Sequence, residues 1–276
     1  MVTAPARPAS TVVLARPAAA GFEVFLVRRR DDIAFMGGAH VFPGGRVDQG
    51  DHLDAPDAWC DGVSRATARM PHRTPHEAVG FYVAGLRELF EEAGVLLARD
   101  ASGAFVAGSD LATRFDASRR DLLAGRVTLR DLAERERLRL ALDALALFAH
   151  WVTPDIETRR FDTHFFLAIA PPAQMAAHHD DESSESIWIA PADAIERCQN
   201  GEIALPPPTW TTLRMLAACA DVDAAWRWAE SQPIVRVQPR VNVLADGSRE
   251  ILLPSLEGFA PRETRFLLTA GRWLPA

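Results

Sequence analysis

The hydrophobic positions of this chain change period along its length, and the changes mark out its elements. Residues 10–15 are apolar and β-branched, residues 18–21 form a small-residue break, and residues 22–28 alternate at strand period. Together they predict a hairpin, because successive strand side chains point to opposite faces. After the charged corner Arg28-Arg29-Arg30-Asp31-Asp32 comes a loop over residues 35–45, whose glycines permit backbone geometries that a Cβ resists. Residues 51–75 are polar and aperiodic and read as a surface excursion. Around residues 75–98 the period becomes helical, with Val79, Val83, Leu86, Leu89 and Phe90 three or four apart and Gly94 as a stop.

A second long helical region is expected over 118–147, to cover the core or form a lid. Strands are expected over 149–154 and 160–170, the second rich in Phe161, Phe165, Phe166, Leu167 and Ile169, which suit a buried pleat. Ile187-Trp188-Ile189 reads as a short strand, helices start at Pro191 and near Thr209 (the latter running to about Trp228), and residues 234–254 read as a hairpin turning at Ala245-Asp246-Gly247. Strands and helices mingle with no linker or internal repeat between halves. This predicts one α/β or α+β domain over about 8–230, with 231–276 as a C-terminal extension packed on it.

Composition supports a folded core: 276 residues, 48% hydrophobic and 24% charged. A net charge of -7 argues against a nucleic-acid grip through general phosphate neutralisation. Cys60, Cys198 and Cys219 form no CxxC pair, so reduced structural thiols are expected rather than disulfides or a zinc cluster. No signal-peptide pattern, no apolar run of membrane-spanning length and no retrieval or peroxisomal signal in the last three residues is visible, so a cytoplasmic location is expected.

The chemistry concentrates on the helix around Arg87. Residues three and four apart share a helix face, so Glu88, Glu91 and Glu92 project to one side. Three clustered carboxylates repel, and a hard divalent cation such as Mg²⁺ or Mn²⁺, which takes oxygen ligands and substrate phosphates together, would neutralise them. The alternative is a solvated charged face with Arg87 as partner.

Gly45, five residues, Asp51, and then Arg87-Glu88-Leu89-Phe90-Glu91-Glu92-Ala93-Gly94-Val95 resembles the Nudix box. Two departures stand out. The acid after the glycine is Asp51 where the family usually has Glu, and 35 residues separate it from Arg87 where the pattern has seven. An insertion at about 52–76 therefore splits the box, which closure entropy tolerates at about 0.6 kcal/mol per doubling of loop length. The split resembles the Nudix subgroup of the peroxisomal coenzyme A diphosphatase. So do residues 38–45, His150-Trp151-Val152-Thr153-Pro154, residues 160–166 and residues 203–209.

That resemblance implies a Nudix α/β/α sandwich with a mixed central sheet, carrying the insertion and the 118–147 region as a lid or oligomer surface. It implies metal-dependent hydrolysis of a nucleoside diphosphate derivative, with coenzyme A or an acyl-coenzyme A as first substrate choice. ADP-ribose, NADH, diadenosine polyphosphates and a non-catalytic nucleotide sensor stand as alternatives. Glu88, Glu91 and Glu92 are implied as ligands of Mg²⁺ or Mn²⁺, Glu88 as ligand or general base, and Arg87 as an orienting partner for a carboxylate. A further acid is sought in 180–185, Glu185 first and Glu182 second, as catalytic or metal-binding. Gly44, Gly45, His40 and Arg30 are the substrate-binding candidates. Trp151, Phe161 and Phe165 could stack on an adenine or simply fill a core. His72, His76, His178 and His179 lack zinc-type spacing. A small nucleotide is the expected partner, with no nucleic acid and no membrane, and a homodimer remains open.

Overall fold

In the computed structural model, residues 4–31, 37–107, 111–178, 183–269 and 271–276 are described. The main sheet runs, in spatial order, Ser183–Ile189, Phe22–Arg29, Arg7–Pro17, Phe161–Ile169, Ala146–Val152 and Arg236–Val237. Arg7–Pro17 pairs antiparallel with Phe22–Arg29 and parallel with Phe161–Ile169, so the sheet is mixed. Two short strands carry the glycine loop: His40–Val41 pairs with Phe22–Arg29, and Gly44–Arg46 with Arg7–Pro17.

Strand alternation sorts the core into two layers. Val12 and Leu14 pack with Val79, Val83, Leu86 and Phe90 of the helix Pro75–Ala93, whereas Val13 and Ala15 pack with Trp210 and Leu213 of the helix Pro207–Leu216. Helices therefore cover both faces of a mixed sheet, the sandwich that the resemblance implied. The helix Pro75–Ala93 begins with a reciprocal cap: Glu77 N donates to Thr74 Oγ1 at 3.2 Å and Thr74 N donates to Glu77 Oε2 at 2.9 Å. It ends at Gly94, whose φ of 69° is the left-handed turn that glycine adopts without strain.

Three expectations are corrected. The insertion is not a solvated excursion: Leu53, Cys60, Ala66 and Met70 are buried in the core beside the helix, and Cys60–Asp61 pairs with Arg139–Ala141. Its polar residues line the outside of a packed segment, which hides the apolar anchors from any periodicity. The region 118–147 is not one long helix. Helices Leu111–Leu123 and Leu129–Glu136 are followed by a left-handed Arg137 (φ 57°), the strand Arg139–Ala141 and the start of Ala146–Val152. Instead of forming a lid, Leu111–Leu123 packs against the box helix and Leu129–Glu136 against Gln49–Asp51, burying Phe115, Leu122, Leu129 and Leu132. The helix expected through Trp228 is two, Pro207–Leu216 and Val222–Ser231, because Asp221 caps a new start by accepting from Ala224 N at 2.7 Å.

The hairpin expected at 245–247 is present as strands Arg240–Val243 and Arg249–Leu252. Phe266, Ile251 and Leu253 sink into the second core layer, so the tail is part of the packing. Among the described residues the three thiols are unpaired, and burial pushes Cys60 up to about 12. No helix there is long and apolar enough to cross a membrane.

Candidate active site

The acidic face of the box helix is buried. Arg87 and Glu88 are each 8% exposed, Glu91 is 6% exposed and Asp51 is 1% exposed, which rules out the solvated-face reading. Arg87 organises them. Its Nε and Nη2 donate to the two oxygens of Asp51 at 2.9 and 3.0 Å, and its Nη1 donates to Glu88 Oε1 at 2.9 Å and Glu91 Oε2 at 2.8 Å. Nη2 also donates to the Arg46 carbonyl at 2.7 Å, which ties the glycine loop to the helix. Burial alone would lower the Arg87 pKa, but the Asp51 hydrogen bonds and the charges of Glu88, Asp51 and Glu91 raise it, so the guanidinium stays charged.

Asp51, whose role the sequence left open, is thus the bidentate partner of Arg87. It also accepts from Asp48 N at 2.8 Å. The shorter side chain works because the single-turn 3-10 helix Gln49–Asp51 packs directly against the box helix.

The glycine loop closes onto the same carboxylates. Gly44 N donates to Glu92 Oε2 at 3.0 Å, and a Cβ on Gly45 would overlap the Glu88 carboxylate, meeting Oε2 at 2.7 Å. Gly44 leaves no more room, since a Cβ there would stand 2.7 Å from Thr11 Cα in the neighbouring strand. Glycine is required at these two positions by close approach. Gly45→Ala is expected to push the Glu88 carboxylate aside and lower kcat/KM by about 10²-fold with little loss of stability, since only a side-chain tip must move. Steady-state rates beside a denaturation curve check this. Unchanged rates would mean that Glu88 need not sit against the loop.

A cavity of about 860 Å³ opens at this junction. Its wall includes Gly44, Gly45, Arg46, Glu88 and Glu92 at one side, Arg29, Arg30 and Arg159 as cations, and Trp151, Phe161, Phe165, Pro206, Pro207 and Ile251 as apolar surface. Trp151 and Phe165 are at once buried core residues and part of the cavity wall. No described residue of the insertion or of 111–144 lines it.

Of the other candidates, Arg30 lines the cavity and His40 does not. His40 is 4% exposed, its backbone N donates to Ala204 O at 2.8 Å, and burial lowers its pKa although Glu185 opposes the shift. Glu185 is exposed on the edge strand, opposite Arg28, and outside the cavity wall. Glu182 and His179 lie outside the described residues. His72 and His76 are exposed, and His178 Nδ1 is within 2.9 Å of Ser186 Oγ. Sequence reasoning missed Arg29, Arg46 and Arg159 as cavity cations, along with the wall residue Ile251. Arg29 could have been found from its strand period, two residues after Val27 on the same face. Arg159 and Ile251 carry no local signal.

The donor set fits a hard divalent cation. Asp51, Glu88 and Glu91 share the Arg87 guanidinium, Glu92 stands beside them on the same helix face, and carboxylates gathered so closely are stabilised by further positive charge.

A mixed sheet between helices, with a glycine loop closed onto a buried acidic helix, defines a hydrolase site of the Nudix type. The model of the NUDT19 Nudix domain matches residues 63–216, a span that starts inside the insertion and includes the whole box helix. The human acyl-coenzyme A diphosphatase NUDT19 is 30% identical, over 91% of this chain and 74% of its own. A putative nudix hydrolase 7 of Caenorhabditis elegans is 26% identical over 86% of this chain and 70% of its own. Among solved structures, a NUDIX hydrolase from Alicyclobacillus acidocaldarius is 28% identical with a TM-score of 0.64, covering 82% of this chain and 97% of that one. The chain belongs to the Nudix hydrolases, in the branch of the NUDT19 Nudix domain.

Proposed function

We propose that this hydrolase cleaves the diphosphate bond of coenzyme A or an acyl-coenzyme A, using Mg²⁺ or Mn²⁺ held by Glu88, Glu91 and Glu92. One observation carries the substrate choice. The cavity joins the box acids Glu88 and Glu92 to four arginines and a long apolar wall, and coenzyme A joins a diphosphate to a third phosphate and a mostly uncharged pantetheine arm. The names of the human, Xenopus laevis and Gallus gallus relatives point to the same substrate class.

The bound cation would neutralise charge on the diphosphate and make water a better nucleophile. The rest falls to the chain. Glu88, held against Gly45 and lining the cavity, is the candidate to orient water and accept its proton. Arg87 keeps Glu88 and Glu91 in register, since its planar fork fixes both carboxylates at once. Arg29, Arg30 and Arg159 would bind phosphate oxygens away from the acids, and Trp151, Phe161 and Phe165 offer faces for the adenine or the arm. Glu185, outside the cavity wall, takes no part in this step.

The test is a hydrolysis panel of coenzyme A, acyl-coenzyme A, dephospho-coenzyme A, NADH, ADP-ribose and diadenosine polyphosphates with each metal. Preferred cleavage of coenzyme A or its acyl form, giving 3′,5′-ADP, is expected, and Arg159→Ala is expected to raise KM for it about tenfold through one lost charged contact. Preference for another member, or equal use of dephospho-coenzyme A with an unchanged KM in Arg159→Ala, would discard the substrate assignment while leaving the hydrolase intact.

A further inference from the structure

Away from the box, three ligating side chains meet on the sheet face that the box helix covers. His150 and His164 are cross-strand partners, and Asp162 precedes His164 by two residues on the same face. Their donor atoms all lie within 4.8 Å of one another. His150 Nε2 is 2.5 Å from Asp162 Oδ1, and the two imidazoles stack with centroids 4.2 Å apart. The other Asp162 oxygen accepts from Arg73 Nη2 at 2.5 Å, so the cluster also holds the end of the box insertion. His164 packs on Phe81, with centroids 4.3 Å apart. Glu88 follows Phe81 by seven residues, about 10 Å farther along the helix.

His164 points to a ligand. It is 3% exposed, yet its buried Nδ1 has no hydrogen-bond partner among the described residues. Buried polar atoms are almost always paired, because desolvation is otherwise uncompensated.

We propose that His150, Asp162 and His164 form a second metal site, separate from the box acids, for a borderline divalent cation of the zinc or cobalt type. Two imidazoles and one carboxylate suit these ions better than Mg²⁺, which prefers oxygen throughout. Arg73 opposes a dication by charge, but it occupies Oδ2 and leaves Oδ1 facing the histidines, the orienting role that outer partners of metal ligands play. Ligation would break the His150–Asp162 hydrogen bond, tilt the stacked imidazoles so that their in-plane lone pairs converge, and draw the three donors to about 3.4 Å from one another, as tetrahedral bonds of about 2.1 Å require.

The full chain carrying Glu91→Gln and Glu92→Gln, stripped by chelator, would be titrated with Co²⁺ and followed by visible absorption. One equivalent with a nitrogen-ligand spectrum, displaced by Zn²⁺ and weakened at least tenfold by His150→Ala, by Asp162→Asn and by His164→Ala, is the expected result. His150 and Asp162 are partly exposed, so their variants answer the question even if His164→Ala fails to fold. Absence of binding, or binding unchanged in His150→Ala and Asp162→Asn, would overturn the site. Neither outcome touches the diphosphatase assignment, which rests on the box.

Discussion

Glu92→Gln is expected to lower kcat/KM by about 10³-fold while leaving the fold intact, the range by which a missing catalytic or metal-binding carboxylate commonly slows hydrolysis. Glutamine keeps the shape of the side chain, and its carbonyl can still accept from Gly44 N, which bonds to Glu92 at 3.0 Å in the present structure. The lost feature is the negative charge facing the cavity. A stability change should be small, because Glu92 is only partly buried and the substitution removes like-charge repulsion with Glu88 and Glu91. Initial rates across a Mg²⁺ titration, beside circular dichroism, separate the two. A loss below tenfold at saturating metal would remove Glu92 from the proposed ligand set.

Arg87→Met should have the largest effect on stability, about 3–5 kcal/mol without metal, because it strands buried carboxylates and not because an ion pair is intrinsically worth that much. Arg87 donates to Asp51, Glu88, Glu91 and the Arg46 carbonyl, and methionine fills similar volume while satisfying none of them. Mg²⁺ should restore part of the deficit by supplying the missing positive charge to the native state alone. Denaturant midpoints with chelator and with saturating Mg²⁺ measure both effects. A deficit below about 1 kcal/mol in chelator would show that the acids relax into solvent, contrary to their burial.

The legibility of the site follows from how far apart its parts lie in sequence. Glu88, Glu91 and Glu92 were readable because helical geometry alone puts positions three and four apart on one face. Gly44 and Gly45 were readable as a loop that shapes something, but the Glu88 carboxylate that excludes a Cβ at Gly45 lies more than forty residues away. Asp51 shows the limit most clearly: one acid in a polar stretch, given its role by a bidentate contact with Arg87 across the insertion. The surface reading of the insertion fails because Leu53, Cys60 and Ala66 are spaced by tertiary packing, and one helical pair, Ala66 and Met70, is too short a run to set a period.

By itself the sequence determined the strand Phe161–Ile169, the opening hairpin, the box helix with its stop at Gly94, and the identity of the acids. Each follows from local periodicity or from backbone preference, which act over a few residues. Only the tertiary structure decided that the acids are buried around Arg87, that Arg29 and Arg159 join them at one cavity, and that Ile251 of the tail lines its wall. It alone brought His150, Asp162 and His164 together under Phe81. The helix-borne acids depend on which face the helix buries, and the strand-borne Arg29, His150, Asp162 and His164 depend on sheet register, where a one-residue slip would turn them to the opposite face.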